Sequence, residues 1–357
     1  MRNNNNMNNS NGSHHRRPKT ALRRRLAMVK AALAAALVLL GMTTARAQAP
    51  IVIQFSHVVT ADTAKGKAAL RFKELAEART QGRVRVEVYP NSQLYKDREE
   101  LDALRLGAVQ MIAPSLSKLG GLGGGEFGVF DLPFLFRDHA AFRAVVDGPV
   151  GANLLATLEP GGIRGLAYWD NGFKVFTANR PLHAVGDFRN TRIRIQASRV
   201  LVAQMEAMGA LPSVSPLVNV YEALKSGQLD GQENVPVNIT TQHLDEVQSH
   251  LIISNHGYLA YAVIVNKAFW GKLPPDIRST LEGAMRDATA YANGLAEADN
   301  ARALERLRSG GRLTVFTPSA QELAHWRTAL APVYQASARW IGSSTLAAVQ
   351  AATGAPP

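Results

Sequence analysis

Residues 274–309 read PPDIRSTLEGAMRDATAYANGLAEADNARALERLRS. Proline suits a helix's first position, where its fixed φ helps and its missing N–H costs nothing. Ile277, Leu281, Met285, Ala288, Ala292, Leu295 and Leu304 then recur at helical spacing, and nothing stops the helix before Ser309-Gly310-Gly311. About 32 residues rising 1.5 Å each make a rod of roughly 48 Å, against the ~30 Å diameter of a small domain. Such a rod spans two domains, so the rest of the chain should divide into two.

Upstream, strands and helices alternate. Ile51–Phe55 suits a buried parallel strand, and Thr60 or Asp62 can cap a helix carrying Ala68, Ala69, Phe72, Leu75 and Ala76. Arg83–Val88 alternates Val84, Val86 and Val88 with charged neighbours, as a half-buried strand does. A helix over Asp97–Leu106 and a strand over Gln110–Ala113 follow, giving right-handed crossovers in an open, mostly parallel sheet. A helix near His139–Leu158 and a strand near Gly162–Trp169 complete a first half. Lys174–Ala178, Arg192–Ile195, Leu211–Val214 and Leu251–Ser254 read as strands of a second half, with helices at Arg199–Met208 and Val220–Ser226. Tyr258–Asn266 is an apolar strand that returns to the first half. The expected fold is therefore α/β in two domains, 50–170 plus 257–292 and 171–256 plus 293–345, with a ligand cleft between them that closes on a small molecule. The Gly-rich run at 119–128 lacks both Gly-Lys-Ser/Thr and a G-x-G-x-x-G between strand and helix, so it reads as a flexible surface loop.

Charge and cysteine content exclude several classes. Among 357 residues there is no cysteine, which removes disulfides, thiolate metal sites and a Cys nucleophile. The net charge is +12, but residues 1–47 hold nine basic side chains and no acid, leaving 31 basic against 28 acidic groups, or +3, in the rest. Nucleic acid is not an expected partner, because phosphate binding needs a clustered basic surface. Within 1–47, an Asn-rich leader precedes Arg23-Arg24-Arg25, an apolar run Ala31–Met42 and Ala45-Arg46-Ala47, the order of a cleaved secretory signal peptide. The mature protein is expected outside the cytoplasm.

Catalytic signatures are missing: there is no G-x-S-x-G and no H-E-x-x-H, and His243, His250 and His256 lack metal-ligand spacing. Glu99-Glu100 and Asp245-Glu246 read as surface charge. The chain is not expected to be an enzyme or to hold a cofactor or metal. Arg192 and Arg194, by contrast, share one face of a short strand, and a guanidinium fork matches a carboxylate with two parallel hydrogen bonds. Spacing alone does not choose between the two arginines, or between ligand binding and a solvated strand edge. Gly231-Gln232-Glu233-Asn234 places polar groups at a strand end, where open α/β sheets bind ligands. Trp169-Asp170-Asn171-Gly172-Phe173-Lys174 falls at the expected crossing between domains, although turn chemistry explains Asn171-Gly172 equally well.

Taken in order with Phe55-Ser56-His57-Val58-Val59, Tyr89-Pro90-Asn91-Ser92-Gln93-Leu94, Ala113-Pro114-Ser115-Leu116-Ser117, Phe130-Asp131-Leu132-Pro133-Phe134, Arg192–Gln196 and Ser254-Asn255-His256-Gly257-Tyr258, these segments resemble the solute-binding proteins of tripartite ATP-independent periplasmic (TRAP) transporters, in particular the C4-dicarboxylate-binding DctP type. The resemblance runs over 51–340. It implies a two-domain flytrap with a long shared helix, ligand delivery to TRAP membrane permease subunits, and transport driven by an ion gradient. It places the carboxylate-clamping arginine on Arg194 and the family's ligand-binding asparagine on Asn234. Lys174 stands where sialic-acid members carry a second arginine, which suits a second carboxylate. Ser56, His57, Ser115, Asn171 and His256 lie in cleft-lining segments. Val218-Asn219-Val220-Tyr221 and Glu233-Asn234-Val235 depart from the dicarboxylate pattern of Ser-Glu-Val-Tyr and Glu-Asn-Pro. These changes keep 2-oxo acids, aromatic acids and sugar acids open as ligands beside succinate, malate or fumarate. A ligand-presenting sensor would share the same architecture.

Overall fold

The computed structural model describes residues 25–32 and 49–354. Apart from a helical stretch at 25–32, the leader and export signal read from the sequence lie outside the described residues. No helix among the described residues is long and apolar enough to cross a membrane.

Two sheets organise the chain from residue 50 onward. The first contains β1 (Ile51–Ser56), β2 (Val84–Tyr89), β3 (Met111–Ile112), β4 (Ile163–Phe173) and, after the second sheet's strands, β10 (Tyr258–Asn266), in the order β2-β1-β3-β10-β4. The second contains β5 (Val175–Ala178), β6 (Arg192–Ile195), β7 (Leu211–Val214), β8 (Gly231–Asn234), β9 (His250–Ile252) and β11 (Thr314–Phe316), in the order β11-β9-β5-β8-β6-β7. Each is parallel but for one reversed strand, β10 in the first and β5 in the second. Both reversed strands begin where the chain has just crossed from the other sheet. The crossings lie side by side, the Lys174 N–H donating to the Gly257 carbonyl at 2.8 Å.

The long helix runs over Pro275–Ser309, 35 residues, or about 52 Å at 1.5 Å per residue. Ile277, Leu281, Ala284, Met285, Ala288, Ala292, Ala296, Ala303 and Leu307 form its buried stripe. It packs on the helix Ala64–Arg79 and β4 of the first sheet and on the helix Pro236–Thr241 beside the second. It also fastens the first crossing: Trp169 Nε1 donates to Thr289 Oγ1 (2.9 Å), the Asp170 N–H to Asn293 Oδ1 (2.9 Å), and Asn300 Nδ2 to the Asn171 carbonyl. Gly172 suits this crossing because its φ of 154° is a conformation side-chain-bearing residues rarely adopt, and a Cβ would also crowd Asn300 Nδ2 at 2.9 Å.

Several local expectations change. The first helix is capped by Thr63, whose Oγ1 accepts from Gly66 N (3.1 Å), while Thr60 and Asp62 bond each other in the preceding turn. The single helix read near His139–Leu158 is two, His139–Val146 and Pro149–Ala156, because Gly148 and Pro149 start a new N-terminus. The Gly-rich run is not a flexible surface loop. It forms two 3-10 turns, Leu116–Leu122 and Gly125–Asp131, anchored in the core by Leu119, Phe127 and Phe130. Gly231–Asn234 is a fully buried strand rather than a strand's end.

Candidate functional site

Arg194 and Arg192, equivalent by spacing, separate completely in the fold. Arg192 is exposed and clasps Asp230 through Nε (3.0 Å) and Nη2 (2.6 Å). Arg194 is 2% exposed, and its Nε donates to the Ser215 carbonyl at 2.9 Å, which fixes the guanidinium plane. The remaining N–H donors of the fork are left for the small cavity that Arg194 lines.

That cavity, about 20 Å³, lies between the two sheets. From the first-sheet side come Asp97, Ser115, Lys118 and Tyr261, and from the second-sheet side Arg194, Gln196, Leu217 and Asn234. Val58 and Val59 add apolar surface. Two hydrogen bonds bridge the sides: Ser115 Oγ donates to Gln196 Oε1, and the Leu217 N–H to Asp97 Oδ2 at 2.7 Å. The volume suits about one water. A four-carbon diacid is several times larger, so admitting one requires the sides to part.

Electrostatics favour an anion there. Lys118 and Arg194 are the basic residues in the lining, against Asp97 as its acid. Burial alone would raise the Asp97 pKa, but Lys118 and Arg194 outweigh it and hold the carboxyl at about 2. Asp97 is therefore ionised, paired with Lys118 and tied to Leu217. Asn234 Oδ1 accepts from its neighbour Val235 N (3.0 Å) and from Asn238 Nδ2 (2.8 Å), leaving its own amide N–H groups as donors.

Of the residues singled out in the sequence, the structure gathers Arg194, Asn234 and Ser115 at the cavity. Asn171 stands one step behind: it is the extra residue of a β-bulge in the β4–β10 pairing, and its Nδ2 donates to the Tyr261 hydroxyl at 2.6 Å. Ser56 and His57 are wholly buried at the end of β1. Burial first, then Lys65, outweighs a backbone hydrogen bond to Val59, lowering the His57 pKa to about 3 and keeping the ring neutral.

Lys174 and His256 belong to a second polar cluster at the crossings. Lys174 Nζ meets both Glu233 oxygens (3.0 and 2.9 Å), with Asp131 Oδ1 4.0 Å away. His256 places Nε2 3.1 Å from Glu233 Oε2 and Nδ1 2.7 Å from Ser254 Oγ, its ring stacked on Phe176. Burial opposes ionisation of Glu233, but Lys174 and His256 prevail, holding it at about 2. Lys174, expected at a second carboxylate, is thus engaged by an internal one and does not line the cavity. Sequence reasoning missed Lys118, Asp97, Gln196 and Tyr261. Lys118 follows the quoted Ala113–Ser117 segment by one position, and Gln196 closes the quoted Arg192–Gln196 segment, so the family-like segments themselves held the signal.

Two sheets, adjacent crossings, a bracing helix and a fixed guanidinium at the junction define a two-lobed solute-binding protein. Residues 55–339 match the family described as bacterial extracellular solute-binding protein, family 7 (DctP), and the chain belongs to that family, the solute-binding proteins of TRAP transporters. It is 55% identical over 304 residues to the C4-dicarboxylate-binding periplasmic protein DctP of Rhodobacter capsulatus, covering 85% of this chain and 91% of that protein. A TRAP periplasmic solute-binding protein of Shewanella oneidensis solved with bound succinate superposes with a TM-score of 0.83 at 41% identity, over 85% of this chain and 100% of that one. A Pseudomonas aeruginosa PAO1 counterpart with bound L-malate gives 0.78 at 42%, over 80% and 100%.

Proposed function

We propose that this protein captures a C4-dicarboxylate such as succinate, malate or fumarate in the periplasm and delivers it to TRAP membrane permease subunits, without chemical change to the ligand. The observation that carries the reading is Arg194, a buried guanidinium fixed by Ser215 with its fork toward a cavity walled from both sheets. The ligands of the succinate- and malate-bound relatives support the choice of diacid.

One ligand carboxylate pairs with Arg194, Asn234 supplies further hydrogen bonds, and Ser115 ties the two sides together through Gln196. Each sheet with its covering helices acts as one lobe, 50–170 plus 257–292 against 171–256 plus 293–345, and ligand favours the closed arrangement by binding it more tightly than the open one. Desolvating a dianion is costly unless its oxygens find donors, so closure selects a matching acid. Lys174, His256 and Asn171 support the crossings and the cavity wall, and Ser56 and His57 lie in the core beneath.

A thermal-shift screen of small carboxylates tests this reading. At a hundredfold excess over Kd, a ligand specific for the native state adds about 2.7 kcal/mol, a clear rise in midpoint. Succinate, malate or fumarate should give the largest rise. No response to any of them, with a response to an aromatic or sugar acid, would overturn the assignment.

A further inference from the structure

If the ligand is a dicarboxylate, the proposed function leaves its second carboxylate without a partner, since Lys174 is saturated by Glu233. We propose that Lys118 receives this distal carboxylate and that Asp97 is the positioning residue that holds Lys118 in place across the closed cleft. The inference rests on the dicarboxylate reading.

Three observations carry it. Lys118 is 8% exposed and lines the same cavity as Arg194, from the opposite side. Its one ion-pair partner among the described residues is Asp97, which leaves further N–H donors on the ammonium. Asp97 is shared: one oxygen holds Lys118 and the other accepts the Leu217 N–H at 2.7 Å from the second-sheet side. In the lining Asp97 is the one acid against Arg194 and Lys118, and the buried Glu100 nearby, its pKa pushed up to about 8 by burial, is kept neutral, so the lining keeps an excess positive charge facing an entering anion. A lysine placed by a carboxylate that also closes the cleft is a point-charge site formed only when the lobes meet.

The test compares succinate with succinamate, which has the same length but a neutral amide at one end, by titration calorimetry on the full protein. Lys118→Met should weaken succinate about a hundredfold and succinamate far less, bringing their affinities within about threefold. Because this variant strands the buried Asp97, the double variant Asp97→Asn with Lys118→Met, which removes both charges, should show the same loss of discrimination. Asp97→Asn alone keeps an acceptor for the Leu217 N–H but leaves Lys118 unplaced, and should lower the preference for succinate about tenfold; an unchanged preference would overturn the positioning role of Asp97. An unchanged ratio in both Lys118 variants, or equal losses of the two ligands, would overturn the role of Lys118 while leaving the dicarboxylate reading standing. Failure of the unmodified protein to bind any C4-dicarboxylate would overturn both.

Discussion

Two buried polar clusters lie within this molecule, built from similar residue types and put to different ends. At the crossings, Lys174, Glu233, His256 and Ser254 are matched to one another, with both Glu233 oxygens on the lysine and both histidine nitrogens engaged. At the cavity, Arg194 and Lys118 face one carboxylate, and Asn234 keeps amide donors in hand. The first cluster satisfies itself where the chain passes between sheets, which fixes the path of the chain. The second is arranged but incomplete, with donors left over, and under the proposed function an anion completes it. Burial of charge alone therefore does not mark a binding site; burial with donors left over does.

Lys174→Met should break the comparison most severely. Removing one partner of a buried ion pair leaves the other uncompensated, at a cost of about 3–5 kcal/mol. A marked fall in unfolding midpoint is expected, with dicarboxylates and monocarboxylates affected alike in whatever protein stays folded. Native stability combined with selective loss of dicarboxylates would move Lys174 into the ligand site. Arg194→Ala should do the reverse. Binding should weaken by about 2–5 kcal/mol, the range for truncating a buried charged partner, while far-UV circular dichroism stays native. Wild-type affinity in this variant would remove the cavity's central cation from the account.

Much of the scaffold was legible from the chain. The long helix announced itself through Pro275 and an unbroken apolar stripe, and Arg192–Ile195 and Tyr258–Asn266 were readable to the residue because side-chain pattern and burial agree there. Choosing Arg194 over Arg192 needed the fold or the family likeness: Asp230, 38 residues away, draws Arg192 to the surface. The same limit hid the cavity's other charges. Asp97 looks like any acid in a helix's first turn, and its partners Lys118 and Leu217 lie 21 and 120 residues on. Lys174 was recognisable as a special lysine, but its partner is set by the β5–β8 pairing, which places Glu233 opposite Phe176. Periodicity assigns faces; only tertiary pairing tells a saturated charge from an available one.

Acid titration sharpens the contrast from both sides. Glu233 and Asp97 are held at about 2 in the folded protein, below the ordinary carboxylate value of about 4. A depressed folded pKa supplies stability that is present above the unfolded value and lost as pH falls through the folded one. The contribution of these two carboxylates should therefore be lost between about pH 4 and pH 2, by an amount on the order of a few kcal/mol, beyond the earlier decline that neutral His57, held at about 3, brings as pH falls below its ordinary value. In Lys174→Met the Glu233 contribution should shrink to what His256 alone sustains, and the decline become shallower. Unfolding midpoints followed from pH 6 downward check this, and a wild-type profile flat to pH 2.5 would contradict the ion pairing in both clusters.

The smallest expected effect belongs to Ser115→Ala. Ser115 Oγ donates to Gln196 Oε1 from the opposite side of the cavity, so the bond exists only when the two sides are together. One such hydrogen bond contributes about 1 kcal/mol net. Its loss should leave each lobe as stable as before and shift only the balance between open and closed forms. Ligand affinity should then fall about fivefold, equally for diacids and monoacids, because the bond reads closure rather than charge. A change in diacid preference would instead place Ser115 on the ligand itself, and an unchanged affinity would mean the bond adds nothing to closure.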